Sequence, residues 1–252
     1  VDTGDFKIDT TPISGEMLDL TRFGELGKEG VLLLMADSTN AERPGFAMSE
    51  QKVGRSLDAQ FKGTDKRIIV ATFASNVHRV QQIINAAARY GRKVAVSGRS
   101  MDNILKVTTE LGYMDVPPNT LIDINLVKKY PDDQLCIITT GSQGEPMSAM
   151  YRMAYGSHKQ VEVGPNDKII LSASPIPGNE ESVYSLINEL MRRGAEVVYD
   201  RQAELHVSGH ACQEELKIIM ALTKPKFFIP VHGEFRHLKI NAGLAKATGV
   251  HP

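Results

Sequence analysis

Short apolar runs recur along the chain, separated by stretches in which apolar residues return every third or fourth position. That alternation predicts an α/β chain with a mostly parallel, doubly wound sheet and helices on both faces. Strands are predicted at 31–36, 67–73, 93–96, 134–139, 168–172, 195–199 and 227–231. Helices are predicted at 49–61, 77–90, 101–111, 145–156, 179–194 and 213–223. Val80, Ile83, Ile84 and Ala87 keep helical spacing, and Asn76 stands where an N-cap belongs. Gly91 and Gly194 lie just past helix ends, where a left-handed residue closes the last turn. Residues 1–8 read as the middle of a strand, and 112–119 as a connector. No repeat or low-complexity stretch interrupts the pattern.

Composition narrows the class. The 252 residues are 42% hydrophobic and 23% charged, ordinary for a globular protein. Lys and Arg total 29 against 30 Asp and Glu, a net charge of −1 that excludes a generally basic nucleic-acid coat. Contact with a polyanion would need a local arrangement. No apolar run approaches the roughly 20 residues that span a bilayer, and no basic segment followed by an apolar one suggests export. Cys136 and Cys212 lie far apart and read as reduced thiols. The expectation is a cytoplasmic protein with no membrane partner.

Small polar residues follow most of the strands. They include Asp37-Ser-Thr-Asn40, Ala74-Ser-Asn76, Ser97-Gly-Arg-Ser100, Gly141-Ser-Gln-Gly-Glu-Pro146, Ser174-Pro-Ile-Pro-Gly178 and His232-Gly-Glu234. Placed on one carboxyl edge, six such loops would expose N–H groups and helix N-termini suited to a phosphate-bearing ligand.

The histidines concentrate the candidate chemistry. His206-Val-Ser-Gly-His210 sets imidazoles four residues apart, and His232 follows in Pro230-Val-His-Gly-Glu234. His78 falls in the first turn of a helix, while His158, His237 and His251 read as surface residues and Cys212 as a packing residue. Asp5 and His232 alone cannot close a catalytic metal site, which takes three or more protein ligands. The chain has no His-x-His, His-Glu-x-x-His or Cys-x-x-Cys. Arg79, Arg92, Arg99, Arg152 and Arg236 could form a local basic surface, although a solvated helix face is the better reading of any one of them.

Several segments, in order, resemble the β-CASP branch of the metallo-β-lactamase superfamily, and within it the bacterial ribonuclease J group. They are Thr3-Gly-Asp-Phe-Lys7, Ala36-Asp-Ser-Thr-Asn-Ala-Glu-Arg-Pro-Gly45, Phe73-Ala-Ser-Asn-Val-His-Arg79, Thr139-Thr-Gly-Ser-Gln-Gly-Glu-Pro146, Ser174-Pro-Ile-Pro-Gly178, His206-Val-Ser-Gly-His210 and Val231-His-Gly-Glu234. The resemblance implies that Asp5 bridges two metal ions and that His232 is a late metal-binding histidine. It also implies that Asp37 supports His210, which protonates the leaving 3′-oxygen. Ser75, Asn76, His206, Val207, Ser208, Gly209 and His210 would then hold an RNA phosphate.

By the same resemblance, two divalent ions, zinc being expected, activate a water in the intact enzyme. Single-stranded RNA is consumed from a 5′-monophosphate end, with internal cleavage as a second mode, in RNA processing and decay. The partners would be a second copy or a paralogue. The resemblance implies a doubly wound β-CASP sheet plus the closing strands and helix of a metallo-β-lactamase domain: residues 1–48 as the end of an N-terminal metallo-β-lactamase part, 49–205 as β-CASP, and 206–252 as the closing metallo-β-lactamase part. The group's His-x-His-x-Asp-His signature has no counterpart before Asp5, nor its dimerising domain after Lys239. The chain by itself is therefore expected to bind metal weakly and not to hydrolyse RNA. Two other readings stay open at this point. One is a non-catalytic phosphate-binding module whose Asp and His residues only hydrogen-bond. The other is a pre-mRNA-cleavage or DNA-repair endonuclease of the same superfamily, which the His206–His210 segment fits less well.

Overall fold

A computed structural model describes residues 1–176, 178–199 and 204–250. They form two compact units. Val1–Gln51 joins the chain from Val207 onward in the first, and Lys52–His206 makes the second. His251 and Pro177, both part of sequence readings above, lie outside the described residues.

In the first unit, β1 (Leu33–Asp37) and β7 (Phe227–Val231) pair in parallel, Leu33 opposite Phe227 and Asp37 opposite Val231. Residues 1–3 run beside β1, with Thr3 N–H bonded to the Met35 carbonyl at 3.0 Å. They form an isolated bridge at Asp2 in place of the predicted strand. Leu34 and Ala36 point into a core shared with Leu216, Ile219 and Met220 of α7 (Gln213–Thr223) and Ala245 of α8 (Phe235–Ala247). The same unit holds α1 (Leu20–Glu29), capped by the Asp19 carboxylate accepting from Arg22 N–H at 2.9 Å. The apolar pattern had not indicated α1 or α8. Gly24 and Gly27 lower the helical propensity of α1, and it buries no residue fully. It is held by tertiary contact with α7.

The second unit carries a five-stranded, wholly parallel sheet in the order β3-β4-β2-β5-β6. Its strands are β2 (Arg67–Ala71), β3 (Lys93–Ser97), β4 (Leu135–Thr139), β5 (Asp167–Leu171) and β6 (Glu196–Val198). The helices are α2 (Glu50–Phe61), α3 (Val77–Arg89), α4 (Arg99–Glu110), α5 (Ala149–Ala154) and α6 (Glu180–Arg192). Alternate residues serve opposite faces. Ile69, Ala71, Ile137, Ile169 and Leu171 pack with Met150 and Met153 of α5 and Leu186 and Leu190 of α6. Ile68, Val70, Ile138 and Ile170, on the other pleat, are equally buried. β4 is buried along its whole length, which explains its unbroken apolar run.

The seven predicted strands therefore divide between two sheets, and the single carboxyl edge carrying six polar loops does not exist. Four of those loops follow β2, β3, β4 and β5 in the second unit; the other two follow β1 and β7 in the first. Helix α5 is also shorter than the predicted 145–156, because the 141–148 loop is tied up in turns before it.

Several single-residue readings change. Arg79 is fully buried, and its Nη1 bonds the Ser172 hydroxyl at 2.8 Å and the Leu205 carbonyl at 3.1 Å. Arg92 is buried on the carbonyls of Thr64, Lys66 and Leu135. Neither belongs to a basic surface or a solvated helix face. Arg236 pairs with Glu42 and Glu234. His158 is not a surface residue either: Nδ1 accepts from the N–H groups of Gln160 and Val161, and Nε2 lies 2.9 Å from Ser97 Oγ. Burial, with Arg152 nearby, holds its pKa down. His237 is buried and its Nδ1 accepts from Glu234 N–H at 3.0 Å. Both cysteines are free thiols, and burial pushes Cys136 up to about 12.

The packing of α1 on α7 yields a paired prediction. A Cβ at Gly27 would run into the Leu222 carbonyl oxygen, whereas one at Gly24 would meet only the Leu222 Cδ2 methyl at 3.9 Å. Gly24→Ala should raise stability by up to about 1 kcal/mol through helix propensity. Gly27→Ala should lower it by about 1–3 kcal/mol despite the same gain. Thermal denaturation of the two variants checks the opposite signs.

Candidate functional site

The first unit gathers chemistry at the carboxyl ends of its two strands. Asp37, the last residue of β1, is 1% exposed and has both carboxylate oxygens committed. Oδ1 accepts from the Thr39 N–H at 2.9 Å and the Thr39 hydroxyl at 2.7 Å, and Oδ2 meets His210 Nδ1 at 2.6 Å. Its main chain is held as well: Asn241 Nδ2 donates to the Asp37 carbonyl at 3.1 Å and to Ser38 Oγ at 2.9 Å. The pair shifts both groups. Burial pushes the Asp37 carboxyl up, but the hydrogen bonds from His210 and Thr39 outweigh it and leave the pKa below the ordinary value. The Asp37 hydrogen bond raises the His210 pKa against a smaller opposing effect of burial, with Asp5 adding to the rise. An imidazole donating through Nδ1 keeps Nε2 for other chemistry.

Asp5 completes a group with this pair. Donor atoms of Asp5, Asp37 and His210 all lie within 4.8 Å of one another. Asp5 is exposed, and its Oδ1 lies 3.2 Å from His232 Nδ1. His232 follows β7 in a left-handed conformation, φ 62°, which costs a non-glycine residue energy and occurs where surroundings impose it. The Asp5–His232 separation fits a shared ion. Tetrahedral zinc with ligands at about 2.0–2.1 Å sets neighbouring donors about 3.3 Å apart. Asp37 and His210 spend their facing atoms on each other, whereas the 3.2 Å Asp5–His232 contact suits a direct ion pair as well as a shared ion.

Ser208 sits beside His210. Its Oγ accepts from Asn40 Nδ2 at 2.8 Å and from His210 N–H at 3.2 Å, so its own hydrogen points elsewhere and can be donated. Val207 is buried, and nothing lies within 4 Å of where a Cβ on Gly209 would sit.

Ser75, Asn76 and His206 belong to the second unit. Ser75 is exposed, and the Asn76 side-chain oxygen caps α3 by accepting from Arg79 N–H at 3.0 Å. That leaves the Asn76 amide group for a ligand. Arg79 joins this turn to the segment before His206 through the Leu205 carbonyl, which also accepts from Ser172 Oγ at 2.6 Å.

Three supporting residues escaped the sequence reading. Asn40 holds Ser208 and the His210 carbonyl, the latter at 2.8 Å. Asn241 fixes the end of β1. Glu215 is fully buried, with Oε1 accepting from Ile8 N–H at 2.7 Å. Its Oε2 accepts from Ala47 at 2.6 Å and Cys212 at 2.8 Å. One carboxylate thus ties the segment carrying Asp5, the loop after Asp37 and the turn after His210. An acid at the third position of a helix is the one local hint, since it commonly reaches back to the cap N–H.

Residues 65–190 match the family described as the Ribonuclease J beta-CASP domain. The chain belongs to the ribonuclease J family. Residues 194–252 match a second family, the Zn-dependent metallo-hydrolase RNA specificity domain. Among curated relatives, ribonuclease J of Helicobacter pylori strain J99 is 48% identical over 250 residues, covering 99% of this chain and 36% of the relative. Ribonuclease J of Thermus thermophilus is 51% identical over 237 residues, covering 94% and 41%. Ribonuclease J2 of Bacillus subtilis is 43% identical over 248 residues, covering 98% and 44%. The chain spans less than half the length of these relatives. None of the helices described is long and apolar enough to cross a membrane.

The pair shift sets a pH dependence. The raised His210 pKa stabilises the fold fully below the ordinary imidazole value, and that contribution fades as pH rises through the raised one. The lowered Asp37 pKa stabilises above the ordinary carboxylate value and fades as pH falls through the lowered one. The pair therefore contributes most between about pH 4 and 6.5. Asp37→Asn should bring the His210 pKa down, as followed by NMR titration of the imidazole in metal-free protein. An unchanged titration would show that Asp37 does not hold the proton on His210.

Proposed function

We propose that this chain supplies the general acid and the phosphate-holding groups of a metal-dependent ribonuclease. The observation that carries the reading is the 2.6 Å Asp37–His210 pair, with Asp5 in reach of both. A protonated imidazole anchored through Nδ1 can give its Nε2 proton to the leaving 3′-oxygen of an RNA phosphodiester. Asp37 keeps that imidazole charged and oriented. In the first unit the Ser208 hydroxyl, Gly209 and the Val207 backbone are proposed to hold a phosphate of the chain being cut; in the second, Ser75, the Asn76 amide and His206 are proposed as phosphate-binding groups.

Asp5 and His232 are proposed to hold metal. Two divalent ions, zinc in this reading, supply an activated water and neutralise charge on the phosphate when bound. Two protein donors fall short of the three or more that a catalytic site takes, so this chain alone is proposed to bind metal weakly and to be inactive. In the full-length protein the substrate is single-stranded RNA with a 5′-monophosphate, trimmed 5′→3′, with internal cuts as a second mode. Its work there is RNA processing and decay in the cytoplasm, as a homo-oligomer or with a paralogue. The first unit is proposed to be metallo-β-lactamase in origin, with the β-CASP domain inserted between its segments.

In the full-length protein, His210→Ala should slow cleavage about 10²–10⁴-fold with metal content retained. His232→Ala should lose metal. Metal analysis beside single-turnover cleavage separates the two, and equal metal loss in both variants would overturn the assigned roles.

Ser208→Ala should act on substrate choice. Rates on 5′-phosphate and 5′-hydroxyl forms of one RNA should converge by about tenfold, the loss of one charge-assisted hydrogen bond.

A further inference from the structure

β3 is an edge strand, and only part of its open side is covered. The Val94 N–H donates to the Thr120 carbonyl at 2.8 Å, and the Val94 carbonyl accepts from Ile122 N–H at 2.8 Å. The chain then turns away into a 3₁₀ helix, Ile124–Lys129. Val96 is the next residue whose N–H and C=O face outward, because backbone groups alternate along a strand. No backbone partner outside the sheet meets it among the described residues.

A cavity of about 650 Å³ opens over this point, between α4 and residues 121–125. Val96 lines it with Leu105, Leu121 and Ile124, and Leu121 is 42% exposed. Asp102 and Asp123 stand at its rim. Lys106 and Glu110, also lining residues, lie 3.9 Å apart and offset each other, which leaves the two aspartates as net charge. Burial and the facing Asp123 together hold the Asp102 carboxyl above its ordinary pKa. Asp123 Oδ1 accepts from the Asn125 N–H at 2.7 Å and Nδ2 at 2.8 Å, both neutral donors, and among the described residues no ion pair engages either aspartate.

We propose that this groove docks an extended segment of a partner protein in which apolar residues alternate with lysine or arginine. Strand addition would use the Val96 N–H and C=O. One set of side chains would enter the apolar wall, and the cations would meet Asp102 and Asp123. The two uncompensated aspartates repel a polyanion, so the groove is not an RNA path. The proposal stands apart from the phosphodiester chemistry and from the first unit.

The test is NMR of the isotopically labelled chain titrated with a short capped peptide alternating valine and lysine. Controls are a valine–glutamate peptide, the valine–lysine peptide with N-methylated amides, and oligouridylate. Saturable shifts at the Val96, Leu121 and Ile122 amides are expected with the basic peptide. The affinity should weaken about tenfold or more on N-methylation, and likewise in Asp102→Lys/Asp123→Lys, each change worth about 1.4 kcal/mol. Absence of shifts, shifts confined to other surfaces, equal binding of the acidic or N-methylated peptide, or movement of the same amides by oligouridylate would each overturn it.

Discussion

The hydrogen bond between Asp37 and His210 is the constraint to which the candidate site answers. A buried carboxylate is costly unless its oxygens are filled, and here Thr39 and His210 fill them. The bond settles which imidazole nitrogen carries its proton inward and which is left outward. It also lets an imidazolium persist in a partly buried place. Moving β1 against the His210 segment by about 1 Å would take the pair beyond hydrogen-bond distance and undo these effects together.

Much of the first unit is arranged to prevent such a shift. Asn241 reaches from α8 to the end of β1, Asn40 reaches to the Ser208–His210 turn, and Glu215 binds three separate segments by their N–H groups. Hydrogen bonds to a charged acceptor are each worth about 1.5–3 kcal/mol when made, and losing a buried partner costs as much again. The cluster is therefore backed by polar residues whose hydrogen bonds go to the protein's own main chain and side chains. In the second unit Arg79 has the same character: a fully buried guanidinium holding the segment before His206 to the first turn of α3. A sequence rich in arginine at these places looks like a nucleic-acid surface, yet burial turns Arg79 and Arg92 into internal braces.

The pair proposed to hold metal differs in its surroundings from the pair proposed to handle the proton. Asp5 and His232 are both more than half exposed, with their facing atoms 3.2 Å apart. Asp37 and His210 are sheltered and committed to each other. Two neighbouring carboxylate–histidine pairs with such different surroundings can divide the work of metal holding and proton transfer, as environment separates the roles of like groups elsewhere.

What the residues alone determined was local and periodic. All seven strands and six of the helices were legible, because strands buried on both faces leave short unbroken apolar runs while helices return apolar residues at a period of 3.6. The cap at Asn76 and the left-handed closures at Gly91 and Gly194 were equally legible, since each depends on one residue's own chemistry. The motifs around Asp5, Asp37, His210 and His232 pointed to a candidate site through their family resemblance, and the fold brings Asp5, Asp37 and His210 together. Only the tertiary structure decided which strand pairs with which, because an apolar strand carries no label for its neighbour. It alone recruited α1 and α8, both of which pack on α7. It alone turned Glu215, Asn241 and Asn40 into supports, since a polar side chain's role is set by whichever distant N–H or carbonyl the fold brings within 3 Å of it, about the length of one hydrogen bond.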